Sequence, residues 1–235
     1  MNNAQIIDVL KGFCVEITIE QADKLLGLVD LTLKKNEVMN LTAIKDRDEF
    51  VVKMIIDSAL SFNNVDLANS KTCIDVGTGG GFPGLVLAIL YPSIQFTLLD
   101  ATKKKCDHVI ECANELGLNN VNVINARAEE YARNNRESFD IVVSRAVSCM
   151  NVLLELCIPL LKVKGCFVAL KGKIGEDELN NSSRALKTLN CSIINRFVYT
   201  LPNESGERIN FHISKDKNTN NIYPRDYRII KKKPL

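Results

Sequence analysis

The chain has no tryptophan and only two histidines among 235 residues, and aromatic side chains make up 6%. So few histidines exclude a histidine-rich metal centre. The eight cysteines contain no C-x-x-C pair, which excludes the usual zinc spacings. Long apolar runs are also missing. The longest reaches from Leu85 to Tyr91, against the roughly 20 residues of a membrane helix. The opening Met1-Asn2-Asn3 is polar and lacks a basic-then-apolar leader pattern. A soluble, cytoplasmic protein without membrane or metal is expected. A chain of this length does not need a disulfide framework. Cys73 and Cys166 fall in strand-like runs and Cys157 on an apolar helix face, so they read as small core residues.

A dominant charge is absent too: 30 Lys and Arg face 28 Asp and Glu, for a net +2. The distribution is uneven. Residues 1–70 carry 7 basic against 11 acidic groups (−4), and residues 71–235 carry 23 against 17 (+6). The last stretch, "YPRDYRIIKKKPL" (223–235), sets Arg225, Arg228 and Lys231 to Lys233 against Asp226 alone. Such an end is a solvated tail unless the body offers a nucleic-acid site, when it becomes a phosphate-binding arm.

What is present falls into two rhythms. Residues 4–62 have helical spacing, with Leu25, Leu28, Val29, Leu31 and Leu33 in one segment (20–40). Val51, Val52, Ile55, Ile56, Ala59 and Leu60 follow in a second, Glu49 to Ser61. "MNLTAI" (39–44) joins them. From residue 71, apolar runs alternate with helical patterns: "TCIDVG" (72–77), "IQFTLLD" (94–100), "VNVIN" (121–125), "FDIVVSRA" (139–146) and "CFVALKG" (166–172). Helices are expected near 83–91, 103–117, 148–162 and 176–189. This alternation predicts a mostly parallel sheet covered on both faces. Two final strand-like runs, 191–201 and 208–214, have no helix between them and predict an antiparallel pair at one edge. "KDKNTNN" (215–221) has little to bury and is expected to be mobile. The expected division is a helical extension at 1–66, the α/β domain at 67–215 and a basic tail at 216–235.

The segment "DVGTGGGFPG" (75–84) puts five glycines in ten positions directly after a strand and before a helix. Glycine costs roughly 0.5–1 kcal/mol in a regular element, so bare backbone is needed there. In this context backbone approaches a ligand at the carboxyl edge of a sheet. Asp100 ends the second strand, where a carboxylate can accept both ribose hydroxyls of an adenosine. Gly79, Gly81 and Gly84 also satisfy G-x-G-x-x-G, the dinucleotide spacing. Asp75, however, would oppose a pyrophosphate and suit the ammonium of S-adenosylmethionine. The antiparallel sheet end favours the same cofactor.

The combination of "MNLTAI", "IIDS" (55–58), "IDVGTGGGFPG" (74–84), "TLLDA" (97–101), "RAEE" (127–130), "SRA" (144–146), "ALKG" (169–172), "GERI" (206–209) and "YPR" (223–225) resembles the RsmG (GidB) family. These are small-subunit ribosomal RNA guanine-N7 methyltransferases. The resemblance runs from about residue 20 to the end. The sequence has Met54 where the family commonly has histidine, and it lacks the tryptophan frequent before "NLT".

The resemblance implies a Rossmann-like class I methyltransferase of seven strands, with S-adenosyl-L-methionine as cofactor. It places the pocket on the backbone of Gly77, Gly79, Gly81 and Phe82, on Asp100, on Ala128 and Glu129, and on Arg145. Asp75 joins them by its charge. Arg145 follows a buried apolar run and is the first catalytic candidate. Lys171, also at a strand end, is a candidate phosphate contact. Asn40 and Asp57-Ser58 either serve the pocket or cap helices. The partner implied is 16S ribosomal RNA, as a small subunit or an assembly intermediate, acted on by a monomer. N7 of guanine carries an in-plane lone pair and no hydrogen, so the chemistry needs no general base. That fits a chain so poor in histidine. The alternatives are a methyltransferase of a small molecule or protein, a noncatalytic adenosylmethionine-binding regulator and, more distantly, a nicotinamide oxidoreductase.

Overall fold

A computed structural model describes residues 1–145 and 147–235; Ala146, the last residue of the "SRA" motif, lies outside the described residues. The amino-terminal region is helical, as its apolar spacing requires: α1 (Asn3–Gly12) and α2 (Ile19–Asn36) each open on a capping box, from Asn2 with Gln5 and from Thr18 with Gln21. The second helix stops short of residue 40 because Asn36 turns its side chain on the chain ahead. Its Oδ1 accepts the N–H groups of Leu41 (2.7 Å) and Thr42 (3.0 Å), and its Nδ2 donates to the Thr42 carbonyl. The next helical segment is α3 (Arg47–Phe50), a π turn (Val51–Ile56), α4 (Asp57–Ala59) and a 3₁₀ turn (Leu60–Phe62).

The sheet follows as β1 (Thr72–Val76), β2 (Gln95–Asp100), β3 (Val121–Asn125), β4 (Phe139–Arg145), β5 (Leu161–Gly172), β6 (Cys191–Thr200) and β7 (Glu207–Lys215). Its order is β3-β2-β1-β4-β5-β7-β6. The first five strands run parallel, and β7 pairs antiparallel with both β5 and β6. This is the expected seven-stranded, mostly parallel sheet. The chain winds outward from β1 to β3, then restarts at β4 on the other side of β1. That reversal opens a crevice at the carboxyl ends of β1 and β4, where open α/β sheets bind ligands.

Connecting helices are α5 (Gly84–Leu90), α6 (Lys103–Glu115), α7 (Ala128–Asn134), α8 (Met150–Cys157), α9 (Gly175–Asn180), α10 (Ser183–Thr188) and α11 (Tyr227–Lys232). Two of the expected helices are modified. The one at 148–162 ends early, in a 3₁₀ turn (Ile158–Leu160), and β5 begins at Leu161. The one at 176–189 is two short helices. One face of the sheet packs α1, α2, the 47–62 segment, α5 and α6 into a single apolar cluster, and the other face packs α7 to α11. No described helix is long and apolar enough to cross a membrane.

The 215–221 segment is pinned, contrary to the expectation of mobility. Lys215 is fully buried and donates to Glu137 Oε1 (3.0 Å) and to the carbonyls of Ile158 and Leu161. Asn218 donates to Glu137 Oε2, and Arg136 donates to the carbonyl of Thr219. Polar anchoring of this kind leaves no trace in hydropathy.

Candidate active site

A cavity of about 450 Å³ lies over the carboxyl ends of β1 to β4. Its floor is Val76, Gly77, Thr78, Gly79, Gly80 and Phe82, and Leu99, Asp100 and Ala101 continue it across β2. Beyond them stand Ala126 to Glu129. Arg145 and Met54 occupy the opposite end.

The glycine loop spends most of its amides internally. Gly77 and Thr78 donate to the Leu99 carbonyl (2.8 and 3.0 Å), and Gly81 and Phe82 donate to the Thr78 carbonyl. Gly79 donates to Asp100 Oδ2 (3.0 Å), and Gly84 donates to Asp75 Oδ2 (2.9 Å). A phosphate nest presents such N–H groups to its ligand. Here Asp100 holds the Gly79 amide at the cavity edge and Asp75 holds the Gly84 amide beneath the loop, so neither is left to a pyrophosphate. The dinucleotide reading of the spacing fails on this count. Gly79 has φ +61°, and a Cβ built there would meet nothing closer than 4.0 Å. The conformation suits glycine, and the space in front of the loop is left to a ligand.

Asp100 fits the ribose role. Its Oδ1 accepts from Thr102 N–H (2.8 Å) and its Oδ2 from Gly79 N–H. A carboxylate offers about four acceptor positions, so each oxygen keeps one for a hydroxyl in the cleft. Val76, Leu99, Ala101, Ala126, Ala128 and Leu156 form apolar walls that suit a flat purine beside it. The residues present therefore fit an adenosyl ligand.

The other expected residues divide. Ala128 and Glu129 line the cavity at the start of α7, and the Glu129 carboxylate takes Arg127 Nε at 3.2 Å. Arg145 lines the far end. Its Nη1 lies 3.3 Å from the Lys53 carbonyl, from Asp57 Oδ2 and from Ser58 Oγ, and its Nη2 meets Met54 Sδ at 3.4 Å. Asp57 is itself held by the Tyr199 hydroxyl (2.9 Å) and lies 3.6 Å from Arg208 Nε. Asp57 and Ser58 thus orient Arg145 rather than cap a helix. Gly81 sits outside the lining; a Cβ there would strike Leu85 at 2.4 Å, so this glycine serves packing against α5.

Three candidates are placed elsewhere. Asp75 is fully buried beneath the loop and pins Gly84 at the start of α5, so its carboxylate does not face a ligand ammonium. Burial pushes its pKa up to about 6, against the pull of the Thr78 hydroxyl and the Gly84 N–H. Lys171 is buried, and its Nζ is committed to Glu178 Oε2 (2.7 Å) and the Ser148 carbonyl (2.6 Å). Glu178 also accepts the Met150 N–H, so this pair ties α9 to α8 and offers no phosphate contact. Asn40 is exposed outside the cavity, while the adjacent Leu41 and Thr42 line it.

Sequence reasoning missed Arg127, Lys105, Leu156 and Tyr227 as lining residues. "RAEE" contained Arg127, but no periodicity marks a side chain that faces a cleft. Tyr227 was hidden in a stretch conspicuous only for its charge.

A family profile described as GidB, rRNA small subunit methyltransferase G, matches residues 21–205. A Fusobacterium nucleatum protein named Ribosomal RNA small subunit methyltransferase G is 45% identical over 213 residues, covering 91% of each chain. Among solved structures, M. jannaschii TYW2 in complex with AdoMet matches with a TM-score of 0.54 at 14% identity, covering 68% of this chain and 74% of that one. The precorrin-6y C5,15-methyltransferase of Geobacter metallireducens matches with a TM-score of 0.51 at 14% identity, covering 76% and 92%. These two likenesses show the shared fold.

Proposed function

Because the chain belongs to the family of ribosomal RNA small subunit methyltransferase G, we propose that it methylates N7 of one guanine in 16S ribosomal RNA, using S-adenosyl-L-methionine, in the cytoplasm. The observation that carries this reading is Asp100, held by the Gly79 amide at the edge of an apolar-walled cleft. The expected division into a helical extension (1–66), a methyltransferase domain (67–215) and a basic tail (216–235) is kept as part of the proposal.

When bound, the cofactor supplies an electrophilic sulfonium methyl group. Asp100 would accept hydrogen bonds from its ribose, and the bare backbone of Gly79 would let it lie close to the sheet, while Gly77, also in the cavity lining, makes room for the Val147 side chain. Ala128, at the start of α7, would border the base, and Glu129 holds Arg127 there. Arg145 stands at the opposite end, its guanidinium fixed from one side by Lys53, Asp57 and Ser58. Its planar fork orients the reacting partners in a way that a single ammonium does not reproduce. No residue needs to remove a proton, because the guanine nitrogen attacks through its lone pair. Alignment and exclusion of water carry the rate. Met54 and Phe82, flanking Arg145, supply the apolar surroundings.

The test compares ribosomal RNA from cells with and without the gene. Chemical cleavage at N7-methylguanine followed by primer extension should give one stop that disappears with the gene. An unchanged pattern of stops overturns the reading.

A further inference from the structure

The C-terminal stretch approaches the cleft, although its composition is that of a solvated tail. Arg225 clamps it to α8 through Glu155, a carboxylate with no exposed surface. Arg225 Nε reaches Glu155 Oε1 at 2.8 Å, Nη2 reaches Oε2 at 2.6 Å, and the Arg225 backbone N–H adds a third bond at 2.9 Å. The side chain of Arg136 donates to the Tyr223 carbonyl just upstream. Two residues past the clamp, α11 begins. Its Ile230 is fully buried in the second apolar cluster. Tyr227, one turn earlier on the same face, lines the cavity.

The ring of Tyr227 lies against Arg127, whose guanidinium carbon stands 4.3 Å from the ring centroid. Arg127 is also held through its Nε by Glu129. This stack borders the segment Ala126 to Glu129, which adjoins the Asp100 strand end: Ala126 N–H donates to the Asp100 carbonyl at 3.2 Å. If Asp100 takes the ribose, the purine falls toward Ala126 and Ala128, and Tyr227 is the aromatic surface on that flank.

We propose that Tyr227 is a wall of the cofactor site, and that residues 223–235 form a strap whose docking and adenosylmethionine binding reinforce each other. This rests on the cofactor reading above. The coupling follows from linkage: whatever docking of the strap adds to cofactor affinity, bound cofactor returns to docking by the same factor. The strap is suited to this because a few local contacts anchor it, and segments so held open without global unfolding.

The experiment titrates S-adenosylmethionine into the full-length wild type, Tyr227→Ala and Tyr227→Phe by calorimetry. Hydrogen exchange of the α11 amides is followed with and without cofactor. Tyr227→Ala is expected to bind about tenfold more weakly, the size of one aromatic–base contact, and Tyr227→Phe, which keeps the ring, restores binding. Cofactor should slow exchange at Ile229, Ile230 and Lys233, whose N–H groups close the helix. If wild type binds while Tyr227→Ala binds equally well, the wall is overturned and the cofactor reading stands. If wild type does not bind at all, both fall. Should Tyr227→Ala fail to fold, unaltered α11 exchange in wild type on cofactor addition overturns the strap by itself.

Discussion

The two flanks of the cleft are built differently. The amino-terminal flank presents Leu41, Thr42, Phe50 and Met54. Directly behind it lie Val51, Val52, Ile55 and Ile56, all essentially without exposed surface. The carboxy-terminal flank presents Tyr227, held by the Arg225–Glu155 ion pair and its backbone bond, by the Arg136 bond to the Tyr223 carbonyl, by the Arg127 stack and by a small apolar contact centred on Ile230. An apolar flank is continuous with the core and comes apart only when the core does. A flank held by polar anchors opens alone, since Arg225 and Glu155 each find water when they separate. The first is a fixed wall and the second a movable one, a contrast that single substitutions can break or sharpen.

The largest effect belongs to the ground between the flanks. Asp100→Ala removes two charge-assisted hydrogen bonds to ribose, each about 1.5–3 kcal/mol, and also frees the Gly79 and Thr102 amides. Cofactor affinity should collapse while circular dichroism stays native. Unchanged affinity by calorimetry would take Asp100 out of the site.

The flanks themselves are compared by Ile55→Ala and Arg225→Ala. The first leaves a cavity in a fully buried cluster and should cost about 2–5 kcal/mol in global denaturant unfolding. The second should leave the global midpoint nearly in place and speed proteolysis after residue 222, because the strap undocks and hydrates Glu155. Equal losses of global stability in both variants would erase the distinction between fixed and movable walls.

Beneath both flanks lies Asp75, whose pKa burial lifts from 3.8 to about 6. The folded state therefore holds this proton more tightly than the unfolded chain. Stability from this group falls as pH rises from about 4 to 6 and is level above, by no more than about 3 kcal/mol. Asp75→Asn should abolish that slope in a series of denaturation curves; a slope that persists assigns it to other carboxyls.

A smaller effect is expected of Arg145→Lys, where the charge stays and the fork is lost. Turnover on small subunits should fall at least about tenfold, equivalent to 1.4 kcal/mol of barrier. The loss should be the same at every pH, since no proton is transferred by an enzyme base. A lysine variant with near-normal turnover would leave only the charge as relevant.

The same contrast explains what the sequence made legible. Apolar spacing revealed the amino-terminal helices and the strands, because burial of Leu25, Ile55 or Val142 is a local property of residue type. Glycines at 77 and 79 and a carboxylate at 100 marked the cofactor edge, because backbone exposure restricts residue choice. Ion pairs do neither. Nothing in composition tells that Lys171 turns to Glu178, that Lys215 is buried against Glu137 or that Arg225 clamps to Glu155. Each partner lies on another element, and charge alone reads as surface. The strap and α11 escaped for that reason, and Asp75 escaped because its carboxylate is taken by the Gly84 N–H beneath the loop.

The smallest effect concerns the outer face of the strap. With Tyr227 and Ile230 turned inward, Arg228, Lys231 and Lys232 are exposed on α11, Arg228 and Lys232 on the side away from them and Lys231 beside Tyr227. They stand beside a cleft that also carries Lys105 and Arg127. A basic face at that place is positioned for the phosphates that flank a guanine entering the cleft. Neutralising a phosphate releases counterions, so replacing all three residues with glutamine should flatten the plot of log affinity against log salt. On single-stranded RNA the slope should change by about 0.7 for each phosphate that is no longer neutralised. Affinity for a 16S RNA fragment at moderate salt should drop only modestly, and cofactor binding should not change, because none of the three side chains lines the cavity. Parallel titrations of wild type and the triple variant over a salt series read the slope directly. An identical slope would mean that the outward charges are merely solvated and that the strap serves the cleft from its inner face alone.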